Sequence, residues 1–143
     1  MTNYFYSDKA SRTIKEELLL GQAKKWAASF IRPAQPRESW QKNPKLNSAQ
    51  LRRFYGEVKA LEDRVRHKDK PKEEFLKIRP LVKMLKSKAA HACPTSGSDR
   101  KVPEEFRKYM EDMVDNVADW DDFRAFALCF EAVVGYFYGE GGR

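Results

Sequence analysis

A chain of 143 residues favours a single domain. Hydrophobic residues make up 41% of it and aromatic residues 13%, which excludes a disordered chain. No apolar run approaches the ~20 residues that cross a bilayer, so we expect no membrane association. Residues 1–10 lack the charged-then-apolar layout of a secretion signal, and two cysteines, Cys93 and Cys129, are too few for a disulfide framework. These features predict a cytoplasmic protein.

The net charge of +7 is unevenly distributed along the chain. Residues 1–47 carry +5, residues 48–102 carry +8, and residues 103–143 carry −6. A basic body followed by an acidic third is typical of a protein that meets a polyanion on one surface and a basic protein on another. A soluble protein with mixed surface charge would show the same totals, so charge alone leaves both interpretations open.

The N-terminal third predicts one helix between two irregular segments. Residues 1–10 are expected to be mobile, and apolar residues at helical spacing predict a helix over residues 11–31. Residues 32–47 contain three prolines, which block regular structure, so we expect a long loop there. Trp40 would anchor this loop if it wraps another element.

Two basic helices are predicted in the middle of the chain. Asn47 or Ser48 can cap a second helix that ends near residues 66–69. Pro71 suits the first turn of a third helix, which contains Pro80 as a kink or a break.

The acidic third predicts two more helices. The stretch at 102–105, Val-Pro-Glu-Glu, starts the fourth helix, and Asp119 caps the fifth, which is the most apolar and is expected to be central in the core. Gly139 ends the fifth helix, and residues 139–143 form a tail. The predicted fold is therefore an all-α bundle of about five helices with a single core, in one domain over residues 1–143.

No arrangement of side chains predicts catalysis. His91 and Cys93 lie two positions apart, but a metal site needs three or four ligands. The acidic pairs at 104–105 and 121–122 open helices, where capping and the helix dipole account for them. We therefore expect no enzymatic activity, no metal site and no cofactor.

Basic residues recur along the second and third predicted helices. If the two helices pack antiparallel, their basic rows could form one stripe that meets phosphates without reading bases. A solvated helix face is the alternative, and spacing alone does not decide between them. The basic residues in these rows are Arg52, Arg53, Lys59 and Arg66 on the second helix, Arg79, Lys83, Lys86 and Lys88 on the third, and Arg100 in the next loop.

Three stretches together resemble the small subunit of the type III-A CRISPR effector, the Csm complex. LNSAQLRRFYGEV at 46–58 resembles that family's segment in which a Ser/Thr-x-Gln-Leu-Arg start leads into Phe-Tyr. FLKIRPLVKMLKSKAAHA at 75–92 is similar to its basic, leucine-rich helix. DDFRAFALCFEAVVGYFY at 121–138 is similar to its C-terminal pattern of phenylalanines, Phe-Glu-Ala and a final tyrosine.

This resemblance implies a small helical bundle without catalytic activity that helps to line the groove holding CRISPR RNA and target RNA. Its implied partners are those RNAs, the backbone and large subunits of the effector, and further copies of itself. Carried over by position, Arg52 and Arg53 are the first candidates for RNA contact, followed by Lys83 and Lys86. The alternatives are an adaptor bundle that binds only protein and the equivalent small subunit of a type III-B complex.

Overall fold

The computed structural model describes residues 3–35, 42–95 and 99–143. Within these ranges five helices of eleven or more residues pack together, accompanied by a single-turn helix and one short hairpin, which confirms the predicted all-α bundle. None of the described helices is long and apolar enough to cross a membrane. The elements are β1 (Tyr6–Asp8), β2 (Thr13–Ile14), α1 (Glu16–Leu19), α2 (Gly21–Ile31), α3 (Ser48–Arg66), α4 (Pro71–Ala92), α5 (Glu104–Asp115) and α6 (Trp120–Gly139).

Helix α6 lies at the centre of the bundle, as its composition predicts. Its phenylalanines, including Phe126 and Phe130, are fully buried, and α6 packs against α2, α3 and α4. The ring of Phe130 lies 5.7 Å from that of Tyr109 in an edge-on arrangement, and Phe30 and Phe106 meet in the same way at 5.3 Å. Buried aromatic pairs of this kind dominate core energetics. The buried side chains form one continuous core.

Helices α3 and α4 form an antiparallel pair because only a short turn separates them. Asn47 caps α3 as predicted, since its Oδ1 accepts a hydrogen bond from Gln50 N at 2.9 Å. Pro71 occupies the first turn of α4, also as predicted. Pro80 does not split α4, which runs without interruption. Its ring is solvent-exposed on the outer face of the bundle, away from the core.

Residues 3–10, within the segment that was expected to be mobile, form specific contacts with the bundle. Phe5 is fully buried, and β1 pairs with β2 in an antiparallel hairpin. Asn3 Nδ2 donates to Asp122 Oδ1 at 2.8 Å, and the Tyr6 hydroxyl donates to the carbonyl oxygen of Asp121. The hairpin is therefore held by the start of α6, more than a hundred residues away, which no local pattern reveals.

The single helix predicted over residues 11–31 is also wrong in its first half. Residues 13–14 pair as a strand, and the helical part is broken at Leu20, whose φ of −119° and ψ of −100° are not helical. Leu20 is also solvent-exposed, so no core packing holds it in the helix. The second half, α2, follows the prediction and buries Ala23, Ala27 and Phe30.

The predicted loop at 32–47 contains an unexpected helix cap in its described part. Leu46 is buried and its N–H donates to the Phe30 carbonyl at 2.9 Å. Buried Asn43 accepts a hydrogen bond from Glu104 N at 2.8 Å and donates to Glu105 Oε1 at 2.7 Å. Asn43 thus caps α5 from a distant segment. Trp40, which was expected to anchor this loop, lies outside the described residues.

The expected C-terminal tail folds back on α6. Gly142 N donates to the Phe137 carbonyl at 2.8 Å, and Gly141 adopts a positive φ of 93°. A Cβ at position 142 would lie 2.4 Å from the Phe137 ring, so the close approach requires glycine.

Replacing Asn43 by alanine should destabilise the protein by about 2 kcal/mol, because the Glu104 N–H and the Glu105 carboxylate both lose their partner. Urea unfolding would measure the loss. Asn116→Ala is the matched control: its side chain is exposed and only donates to the Asp112 carbonyl, so its cost should stay within about 0.5 kcal/mol. Equal costs for the two variants would contradict the capping role of Asn43.

Candidate nucleic-acid interface

A cationic groove lies where the beginning of α3 meets the end of α4. We call it the α3–α4 groove; its volume is about 320 Å³. The antiparallel pairing of the two helices brings their opposite ends together here. The backbone N–H of Lys101 donates to the Ala92 carbonyl at 2.7 Å, which holds the following loop against the end of α4. The lining residues are Arg53, Phe54, Glu57, Ser87, Lys88, His91, Ala92 and Lys101.

Positive charge exceeds negative charge in the α3–α4 groove. Arg53 and Lys101 are exposed and form no ion pair with any described residue. Lys88 Nζ lies 3.2 Å from Glu57 Oε2. Three cations therefore face one carboxylate, and His91 adds an ionisable ring. Such an excess attracts polyanions and gives binding that weakens as salt is added.

Three other surface clefts carry balanced charge, which sets the α3–α4 groove apart. In each of them the basic and acidic side chains that line the wall are equal in number, so their field largely cancels. The charged residues are Arg100, Arg107 and Lys108 with Glu104, Glu105 and Glu111 in the first, Arg12, Lys59 and Arg124 with Glu62, Asp121 and Glu131 in the second, and Arg64 and Lys68 with Asp63 and Glu74 in the third.

The predicted row on α3 includes Arg52, Lys59 and Arg66, which recur every seven residues and lie on the flank away from α4. Lys59 Nζ lies 2.7 Å from Glu62 Oε1, and this hydrogen bond raises the pKa of Lys59. Lys59 lines a cleft shared with α6. Arg66 pairs with Asp63 at 3.3 Å, while exposed Arg52 donates to the Ser48 carbonyl at 3.4 Å.

Two cations of the predicted row on α4 contact α5 instead of α3. Lys83 Nζ donates to the carbonyls of Val114 and Val117 at 2.8 and 2.9 Å, at the C-terminal end of α5. Burial, and then the neighbouring positive charge of Arg79, lower the pKa of Lys83. Lys86 Nζ lies 2.5 Å from Asp115 Oδ1, and this hydrogen bond raises its pKa.

The two predicted rows therefore do not merge into one stripe, although the helices are antiparallel. Lys59 on α3 turns towards α6, whereas Lys83 and Lys86 on α4 turn towards α5. Arg79 is exposed and has no ion pair among the described residues. From the predicted set, only Arg53 and Lys88 meet in the groove.

The Arg100 side chain is buried, and its guanidinium is hydrogen-bonded within the protein. Its side chain is 4% exposed. The guanidinium donates to the Pro94 carbonyl at 2.9 Å, to Glu104 Oε1 at 3.1 Å and to the Lys42 carbonyl at 3.4 Å. Arg100 thus ties the loop after α4 to the start of α5, and its charge is already satisfied.

Two groove residues, Lys101 and His91, were not among the predicted RNA-binding residues. Lys101 follows Arg100 directly, and only the hydrogen bond from its backbone to Ala92 shows that it returns to the end of α4. His91 lies one turn after Ser87 on the same face of α4, a spacing that could have identified it. The described residues contain no cluster of three or more His, Cys, Asp or Glu side chains able to hold a metal ion.

The fold and the groove define a small, all-α bundle with a cationic surface groove. The chain belongs to the Csm2 Type III-A family, whose model matches residues 15–142. It is therefore a small subunit of a type III-A CRISPR effector complex. The match to the family model begins at residue 15, well before the stretch at 46–58 that first resembles the family in the sequence. None of the curated proteins and none of the solved structures compared with the chain matches it.

Replacing Lys83 by methionine should lower the free energy of unfolding by about 1–2 kcal/mol. Methionine keeps an aliphatic stem but leaves the Val114 and Val117 carbonyls without their charged donor. Urea unfolding of the variant would measure the change. Arg79→Met removes an exposed, unpaired cation one turn away on the same helix and should change stability by less than about 0.5 kcal/mol. A Lys83 variant as stable as wild type would show that the amine does not support α5.

Proposed function

We propose that this chain is a non-catalytic subunit that helps to hold CRISPR RNA and target RNA inside the effector through sequence-independent phosphate contacts. The observation that carries the proposal is the α3–α4 groove, where three cations face one carboxylate. Membership of the Csm2 Type III-A family supports the proposal, because it makes the chain a small subunit of a CRISPR effector complex. The role would be part of antiviral defence in the cytoplasm.

The chemistry of the groove favours phosphate contacts over base reading. Arginine and lysine side chains bind phosphate oxygens with little regard to sequence. The one phenylalanine in the wall, among the described residues, is Phe54, which is buried and packs against Phe106 with the ring centroids 5.0 Å apart. It is therefore not free to stack on a base, which supports backbone contacts.

We also propose that any RNA cleavage by the complex belongs to other subunits. The two thiols support this, because both are buried and burial raises their pKa, that of Cys129 to about 12. A thiol of that kind is a poor nucleophile. Metal-dependent RNA cleavage by the pure subunit would overturn this part of the proposal.

A second surface suits a protein neighbour within the complex. Leu76, Pro80 and Met84 recur every four residues on the outer face of α4, and Leu76 and Met84 are 60% and 51% exposed. We call them the α4 stripe. Large exposed apolar side chains in a row mark an interaction surface. The stripe supports docking of another protein subunit of the effector on α4, in addition to RNA binding.

The two alternatives, a protein-only adaptor and a type III-B small subunit, are not equally supported. A protein-only adaptor would use the α4 stripe and leave the cationic groove without a ligand. The type III-B small subunit loses support because the matching family model is the type III-A one.

The groove assignment is tested with the triple variant Arg53→Gln/Lys88→Gln/Lys101→Gln. Its affinity for single-stranded RNA should fall at least tenfold at low salt, and the slope of log K against log salt should flatten by about 2. Filter binding across a salt series measures both quantities. The matched control Arg66→Gln/Arg79→Gln/Lys86→Gln removes the same charge from the other flanks of α3 and α4. An equal or greater loss in that control would contradict the groove assignment.

The α4 stripe is tested with Leu76→Gln/Met84→Gln. Both side chains are exposed, so the fold should persist while incorporation into the effector falls severalfold. Co-purification with the other subunits measures incorporation. Leu20→Gln changes another exposed leucine, outside α4, and should incorporate normally. Normal incorporation of the double variant would remove the stripe from the proposal.

A further inference from the structure

Glu57 lies in the wall of the α3–α4 groove, directly opposite Lys88. The distance from Glu57 Oε2 to Lys88 Nζ is 3.2 Å, and the Glu57 side chain is 30% exposed. It is the one carboxylate in the wall among the described residues. Arg53 lies one turn earlier on the same flank of α3. Glu57 therefore sits between the two groove cations that the sequence had singled out.

A carboxylate in this position offers the lysine the same kind of partner as a phosphate. Both are anionic oxygens that accept charge-assisted hydrogen bonds from an ammonium group. An RNA strand that enters the groove must either displace Glu57 from Lys88 or lie beside a like charge. Either event opposes binding.

The packing of α3 gives Glu57 no other partner. Among the described residues the one ion pair of Glu57 is with Lys88, and its side chain forms no hydrogen bond that holds it elsewhere. By contrast, Glu62, five residues further on, is buried, lines a cleft shared with α6 and pairs with Lys59 inside the same helix. Glu57 thus has a contact in the groove and none in the core.

We propose that Glu57 is a positioning residue that competes with phosphate: it holds the Lys88 amine in the groove without RNA and is displaced when RNA binds. This inference rests on the proposed function and adds that Glu57 limits the affinity of the groove for RNA. The competition lowers the RNA affinity of a single subunit. Stable binding then depends on several subunits that contact the same RNA together.

The variant Glu57→Gln tests the proposal, because it keeps the size of the side chain and removes its charge. Its affinity for single-stranded RNA at low salt should rise about three- to tenfold, and its salt dependence should become steeper. Glu73→Gln is the matched control. Glu73 is exposed on α4, about 22 Å along the helix from Lys88, and the change should alter affinity less than twofold.

The variants Lys88→Gln and Glu57→Gln/Lys88→Gln distinguish an effect of Glu57 through its contact with Lys88 from a general effect of its negative charge on RNA. If Glu57 acts through Lys88, its removal should raise affinity much less in the Lys88→Gln background. A gain of the same size in both backgrounds would overturn the positioning role and leave only a general charge effect.

Failure of this inference is distinct from failure of the proposed function. Unchanged or weaker RNA binding by Glu57→Gln, together with loss of binding in the groove triple variant, would overturn the role of Glu57 and keep the groove. Wild-type binding by the triple variant as well would overturn both.

Discussion

The burial of α6 on almost every side is the constraint on which the rest of the structure depends. A helix so rich in phenylalanine must be covered, and it is covered by α2, α3 and α4, with α5 adding Phe106 and Tyr109 to the same aromatic core. Even the N-terminal hairpin is held by the acidic start of α6. With the centre occupied in this way, the charged side chains of α3 and α4 can only lie on their outer faces and flanks.

The same arrangement separates cations that look equivalent along a helix. Helix α3 lies between α6 and α4, whereas α4 lies between α3 and α5, so each flank meets a different neighbour. Arg79 and Lys83 share a face of α4 at a spacing of four residues, yet Lys83 donates to the end of α5 while Arg79 is exposed and forms no ion pair among the described residues. Charge at helical spacing is therefore a poor guide to function until the neighbour of each flank is known.

Local patterns were sufficient for the five longer helices, for two of their caps and for the central place of α6 in the core. The caps at Asn47 and Asp119 each depend on a side chain three residues from its partner, so they could be predicted from the sequence. The hairpin and the Asn43 cap could not, because their partners lie far along the chain. For the same reason the sequence indicated a basic surface and identified Arg53 and Lys88, but it could not show that Lys83 and Arg100 are already satisfied.

The proposed role of the α3–α4 groove is that it, and not the other flanks of α3 and α4, contacts the phosphates of RNA. Amine-reactivity footprinting of the assembled effector, with and without target RNA, tests it directly, because each lysine reports on its own surroundings. If the groove contacts RNA, bound RNA should lower the reactivity of the Lys88 and Lys101 amines, while the reactivity of Lys59 and Lys86 stays unchanged. Protection of Lys59 and Lys86 with unchanged Lys88 and Lys101 would contradict it.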